Sequence, residues 1–152
     1  MKRGQNKMKN FQIISTLNIL NCFLDKKIPQ KISYAIIKNK QNLQKNYENY
    51  EQSLQKLFDQ YKNYIKLDEN ENYIVGENQI PIVEEKMKEP FYHELEELLN
   101  IEVDIKLFTI NENVFNYDDK GGFYDILTPQ EIFQLQDILC KKKSSKKNNK
   151  EN

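Results

Sequence analysis

The chain has 152 residues, of which 38% are hydrophobic and 30% charged, with two cysteines and one histidine. A domain of this length buries a core without disulfides or metals, and two cysteines outside a C-x-x-C motif indicate neither a disulfide framework nor a zinc site. No stretch has the apolar length needed to span a bilayer. These features predict a soluble intracellular protein that does not contact a membrane.

The formal net charge is zero, but the charged residues fall into three blocks. Residues 1–66 contain 13 Lys or Arg and 4 Asp or Glu, a net charge of +9. Residues 67–140 contain 4 and 18, a net charge of −14, and residues 141–152 contain 6 and 1, a net charge of +5. Either the two large blocks neutralise each other within the fold, or the acidic block attracts a basic partner.

The N-terminal part of the chain predicts a disordered segment followed by a short helix. Residues 1–10 are polar, and chain ends of this kind are rarely ordered. In residues 11–24, four apolar residues recur at steps of three and four, which places them on one helical face. They are Ile13, Leu17, Leu20 and Leu24. Pro29 then ends the helix.

The next segment predicts one long helix over residues 31–65. No Gly or Pro interrupts residues 30–66, and apolar or aromatic residues recur with the 3.5-residue period of a coiled-coil seam. The seam consists of Ile36, Leu43, Tyr47, Tyr50, Leu54, Leu57, Tyr61 and Tyr64. Such a seam needs a partner, either the first helix or a second copy in a homodimeric coiled coil.

Shorter elements follow the long helix. Residues 73–75 and 80–82 flank a glycine turn and are typical of a short hairpin. Residues 84–100 have helical periodicity, although Pro90 must start, kink or split that helix. Residues 101–107 alternate strictly between apolar and polar side chains, which predicts a half-buried strand.

The C-terminal third begins with a predicted loop over residues 111–127. Thr128 and Glu131 form a capping-box motif, and Pro129 occupies the first helical position, so a helix starts there. The lysine-rich residues 141–152 are predicted to be disordered.

Together the elements predict an α+β, mostly helical fold. The long helix packs on the shorter N-terminal helix, and a small antiparallel sheet and two further helices complete one domain over residues 11–140. We find no internal repeat at solenoid periods.

The motifs of catalysis and metal binding are incomplete. His93 and Glu97 lie one helical turn apart, as in half of a zinc-protease motif, but the second histidine is missing. Residues 68–72 imitate the start of a calcium-binding loop, but Tyr73 and Gln79 occupy the positions that require Gly and Glu. We therefore predict no catalytic, cofactor-binding or metal-binding residue, and no enzyme activity.

Lysines in the C-terminal segment suggest contact with nucleic acid. Residues 141–152 carry six lysines, and tails of this kind contact phosphates without reading sequence. Arginine, the usual reader of base edges, occurs only at Arg3. The tail therefore predicts weak nucleic-acid contact, or only a solubilising extension.

Three segments in order resemble a family of small phage and prophage proteins of unknown function from low-GC bacteria. They are IPQKISYAIIKNK at residues 28–40, FYHELEELLNIEVDI at residues 91–105 and LTPQE at residues 127–131. The similarity in segment order covers residues 11–140, while residues 111–126 and the lysine tail depart from it. The resemblance implies a phage origin and action in the cytoplasm of a host bacterium, and it transfers no catalytic residue.

These observations predict a phage-encoded, non-enzymatic protein that binds a host protein. The most specific form of this hypothesis is an anti-CRISPR-like inhibitor of a nucleic-acid-binding defence nuclease, whose basic channel the acidic block would occupy. The predicted partner-binding residues are Glu84, Glu85, Glu89, Glu94, Glu96, Glu97 and Glu102. Two alternatives are a phage tail-assembly or late-morphogenesis factor and a nucleic-acid-binding accessory protein.

Overall fold

The computed structural model describes residues 5–141 and consists of four α-helices and a two-stranded antiparallel sheet. This architecture confirms the predicted α+β, mostly helical fold class. In chain order the elements are β1 (Gln5–Lys9), α1 (Asn10–Asn21), α2 (Gln30–Gln60), α3 (Glu85–Leu99), β2 (Glu102–Lys106) and α4 (Pro129–Leu139). The predicted tail disorder concerns residues that, apart from Lys141, lie outside the described part of the chain.

The sheet corrects the predicted disorder for residues 5–10, while the same prediction for residues 1–4 lies outside the described residues. Residues 5–9 form β1, and Asn10 begins α1. β1 pairs antiparallel with β2, so that Met8 lies opposite Val103 and Lys7 opposite Asp104. An apolar pair and a pair of opposite charges across the strands stabilise this register, although the polar sequence of β1 predicts no strand.

α1 and the first half of α2 form the larger hydrophobic cluster. Ile13, Leu17 and Leu20 of α1 are buried there, as are Ile36 and Leu43 of α2. α1 ends at Asn21 rather than at the predicted residue 24, because the next N–H groups bond to carbonyls three residues back in a tighter turn. The cluster also includes residues from β2 and α4, so it joins the two ends of the chain.

α2 is continuous over 31 residues but ends at Gln60, five residues before the predicted end. A short 3₁₀ turn at residues 62–64 redirects the chain. Ile65 is thereby buried opposite Val83. Burial of these side chains against α3 outweighs the continuation of a solvated helix, since most helical stability comes from packing.

α3 packs on the second half of α2 in a smaller hydrophobic cluster. Leu57 of α2 and Phe91 and Leu95 of α3 are buried there. Pro90 lies inside α3 and is exposed, so the helix continues past it although its nitrogen has no hydrogen to donate. α3 thus begins and ends within one residue of the prediction.

The segment between α2 and α3 forms a closed ring of backbone hydrogen bonds rather than a regular hairpin. The N–H of Lys66 donates to the carbonyl of Ile82, Ile82 donates to Ile74, and Ile74 donates to Lys66, each at 2.9 Å. Val75 and Pro81 do pair as a hairpin predicts, but only in an isolated bridge. The regular sheet of the protein is therefore β1–β2.

Candidate functional site

The packing of α3 determines which of its side chains face solvent. Phe91 and Leu95 are buried against α2, so the opposite side of α3 is exposed. Glu85, Glu89 and Glu96 recur there at steps of four and seven residues, which places them on one side of the helix. The local sequence thus produces an acidic surface because its few apolar residues occupy the other side.

All seven predicted partner-binding residues are exposed. Five lie on α3, Glu84 directly precedes it and Glu102 begins β2. We refer to this set as the acidic surface. It consists of Glu84, Glu85, Glu89, Glu94, Glu96, Glu97 and Glu102.

Two carboxylates at the start of α3 pair with the neighbouring lysines. Lys88 Nζ lies 2.8 Å from Glu85 Oε2, and Lys86 Nζ lies 3.7 Å from Glu84 Oε2. The hydrogen bond from Lys88 lowers the pKa of Glu85, and the same bond raises the pKa of Lys88. These pairs are at the surface, where an ion pair contributes little to stability.

Two further carboxylates contact a histidine and a tyrosine side chain. His93 Nε2 lies 3.0 Å from Glu97 Oε1 on the exposed side of α3. Glu94 hydrogen-bonds with the hydroxyl of Tyr61, which raises the pKa of Tyr61. Glu94 is therefore the carboxylate that links α3 to the end of α2.

The remaining carboxylates have little internal compensation. Glu102 lies opposite Lys9 in the sheet register. Among residues 5–141, no hydrogen bond or ion pair joins the side chain of Glu89 or Glu96 to another residue. These two carboxylates remain available to a partner.

The lysine-rich N-terminal block does not neutralise the acidic surface by direct contact. Across the described residues, no ion pair joins a lysine of residues 5–66 to a carboxylate of α3, and the contact between the two blocks is Lys26 with Glu131 at 3.1 Å. Lys66 has only a minor, longer-range effect on the pKa of Glu85. Among the described residues, direct ion pairs therefore contribute little to neutralisation between the two blocks, and both alternatives left open by the charge map remain predictions.

A recess beside α3 was not predicted from the sequence. It has a volume of about 320 Å³, and its walls include Lys88 and the exposed ring of Tyr92. Apolar side chains from the segment between α2 and α3 complete the recess, namely Ile80, Pro81 and Ile82. The only sequence signal was an aromatic residue on the polar side of a helix, at Tyr92.

The incomplete metal-binding motifs of the sequence do not assemble into a larger ligand set in the part of the chain that the structure describes. Within residues 5–141, no group of three or more His, Cys, Asp or Glu side chains could hold a metal ion. Asp68 uses one carboxylate oxygen to accept hydrogen bonds from the N–H groups of Asn70 and Asn72, both at 2.9 Å. The imitation of a calcium loop is thus a polar turn, and Cys22 and Cys140 are free thiols.

The part of the chain that the structure describes contains no helix long and apolar enough to cross a membrane. Compared with known proteins, the chain matches no protein family, no curated protein and no solved structure.

Proposed function

We propose that this chain is a non-enzymatic binding protein that docks its acidic surface on a basic surface of another protein. The observation that carries the proposal is the exposure of all seven carboxylates without ion pairs to the lysine-rich N-terminal block. Like charges held this close repel each other, and a basic partner relieves that repulsion.

The partner class that fits best is a nucleic-acid-binding nuclease of a host bacterium, inhibited in the cytoplasm. A nuclease channel is basic because it must bind phosphates, so the acidic surface complements it in charge. A phage origin, which we predict from the order of the sequence segments, would place the target in host defence.

Binding of this kind depends strongly on salt. Charge complementarity at the rim of an interface mainly accelerates association, so added salt slows association more than it speeds release. The recess beside Tyr92 supplies a non-electrostatic contact, which persists at high salt.

The test compares two double variants with equal changes in charge. Glu89→Lys with Glu96→Lys alters the two uncompensated carboxylates of the acidic surface, and Glu48→Lys with Glu69→Lys alters exposed carboxylates elsewhere. Each full-length chain serves as bait in a bacterial lysate, and any captured nuclease is then purified and its association and dissociation rates are measured at low and high salt.

We expect the first variant to lose the partner and the second to retain it. Equal binding by both variants would show that the acidic surface is not the docking site. Loss of the partner only on removal of residues 142–152 would assign binding to the lysine tail instead.

A further inference from the structure

A row of lysines lies on the solvent side of α2. Lys31, Lys38 and Lys45 are all exposed and recur every seven residues. Residues seven apart in a helix lie on the same side, about 10 Å from each other along the axis. The row therefore presents three positive charges over about 21 Å.

These charges have no internal counterpart. Among the described residues, no ion pair involves Lys31, Lys38 or Lys45. Five of the seven carboxylates of the acidic surface lie on α3, which packs on the other half of α2. The lysine row is thus an electropositive surface that is separate from the acidic surface.

An exposed aromatic pair lies beside the row. Tyr34, one turn after Lys31, is 56% exposed, and Phe108 is 36% exposed. Their ring centroids lie 5.3 Å apart in an edge-to-face arrangement at 71°. The two exposed rings beside the lysines offer a planar ligand a place to stack.

The position of Phe108 is determined by α2 itself. The buried side chain of Asn39 accepts a hydrogen bond from the N–H of Phe108 at 2.7 Å and donates one to its carbonyl at 2.8 Å. Asn42 donates to the carbonyl of Lys106 at 3.1 Å. These bonds hold the chain from Lys106 to Phe108 along α2, and Lys106 is itself exposed.

The lysine tail begins at the same place. Ile110, two residues after Phe108, donates its N–H to the carbonyl of Leu139 at 2.8 Å and pairs with Cys140. The chain that follows, from Lys141 onward, contains six lysines. Cys140 and the described Lys141 therefore lie beside Ile110, in the chain that follows Phe108.

We propose that this surface binds single-stranded nucleic acid. Proteins that bind single strands combine a basic track for the phosphates with exposed aromatic rings on which bases stack. The lysine row supplies the track, and Tyr34 with Phe108 supplies the stacking platform. Aromatic rings stack on any base, and arginine, the usual reader of base edges, occurs only at Arg3. We therefore expect binding that does not depend on the nucleotide sequence. An acidic protein would satisfy the lysines but would leave the aromatic pair without a role.

The first test measures the affinity of the full-length chain for a fluorescently labelled oligothymidylate by anisotropy. In the row variant, Lys31, Lys38 and Lys45 are all changed to Gln. In the matched control, Lys56, Lys62 and Lys66 are changed to Gln, which removes the same charge from exposed positions near the end of α2 and in the chain that follows it. We expect the row variant to lose roughly tenfold or more in affinity and its salt slope to fall by about two, as loss of three phosphate contacts requires.

The second test examines stacking. We expect Tyr34→Ala to lose about tenfold in affinity with an unchanged salt slope, while Tyr34→Phe retains binding. Tyr92→Ala, which removes an exposed ring from α3, is the matched control and should bind normally. Circular dichroism verifies that every variant is folded.

Several outcomes would overturn the proposal. They are undetectable binding at low salt, equal losses in the row variant and its control, and full affinity in Tyr34→Ala. Equal affinity for polyglutamate and oligothymidylate would show that the surface binds acidic proteins rather than nucleic acid. Abolition of binding by removal of residues 142–152, with an unaffected row variant, would assign binding to the tail alone.

Discussion

At the scale of single residues, Asn39 shows how one polar side chain organises a core. It is fully buried on the apolar side of α2, and both ends of its amide bond to the backbone of Phe108. In a sheet, a neighbouring strand would form hydrogen bonds with the backbone N–H and carbonyl of Phe108. Here the Asn39 side chain forms both bonds. The buried amide determines where the chain after β2 crosses α2.

We expect Asn39→Leu to lower the free energy of unfolding by about 2–4 kcal/mol, because the substitution leaves two backbone groups of Phe108 unpaired. Asn42→Leu is the control, since it removes one bond near the surface and should cost less than about 1 kcal/mol. Urea denaturation measures both values. A similar loss in the two variants would contradict the role given to Asn39.

At the scale of elements, α4 begins at a complete capping box. Thr128 Oγ1 accepts from the N–H of Glu131 at 3.1 Å, and Glu131 Oε1 accepts from the N–H of Thr128 at 3.0 Å. Lys26 also contacts Glu131. The hydrogen bond from Thr128, followed by that from Lys26, lowers the pKa of Glu131. We expect Thr128→Ala to lower the free energy of unfolding by about 1 kcal/mol in urea denaturation.

The lowered pKa of Glu131 predicts an acid-sensitive contribution to stability. A carboxyl group whose pKa is lower in the folded than in the unfolded state stabilises the fold fully above the unfolded pKa, and this contribution is lost as pH falls through the folded pKa. Glu131→Gln should therefore be less stable than wild type at neutral pH and approach it in acid. Thermal unfolding across this pH range, with Asp137→Asn on the same helix as the control, measures the difference. A constant difference at all pH values would contradict the prediction.

α2 is the element that joins the two hydrophobic clusters, and we expect it to exchange its amide hydrogens as one continuous helix. Leu54→Pro should cost at least about 3 kcal/mol, because it removes a hydrogen bond within the helix and clashes with the preceding turn. Gln30→Pro is the control, since the first helical position tolerates proline. A rapidly exchanging break between Asn42 and Tyr50 would contradict the continuity of α2.

At the scale of the whole molecule, the protein has two hydrophobic clusters rather than one. The larger cluster surrounds α1 and the first half of α2, and the smaller one lies between the second half of α2 and α3. Between Leu43 and Leu57, no residue of α2 is buried. The two halves of the fold therefore depend on different side chains.

This division predicts that the two clusters can be destabilised separately. Phe91→Ala should cost about 3–5 kcal/mol and should reduce the hydrogen-exchange protection of α3 more than that of α1. Leu17→Ala, in the larger cluster, is the matched variant and should have the opposite effect. Equal loss of protection in α1 and α3 in both variants would indicate a single cooperative core.

Features that depend on residues a few positions apart follow from the amino-acid sequence. The capping box at Thr128, the start of α2 after Pro29 and the alternating strand before Lys106 were all predicted, because caps and periodicity act over one or two turns. The exposure of the acidic surface follows in the same way, since the apolar residues of α3 occupy one side of the helix. Which carboxylates lack a partner did not follow from the sequence.

Features that depend on residues far apart in the chain could not be predicted from the sequence and follow from tertiary contacts. β1 is a strand because Met8 meets Val103, and α2 ends early because Ile65 packs opposite Val83. The aromatic pair exists because Asn39 binds the backbone of Phe108, 69 residues further along the chain. Local propensity is weak compared with the burial and hydrogen bonding that such contacts provide, so these residues adopt the structure that their partners impose.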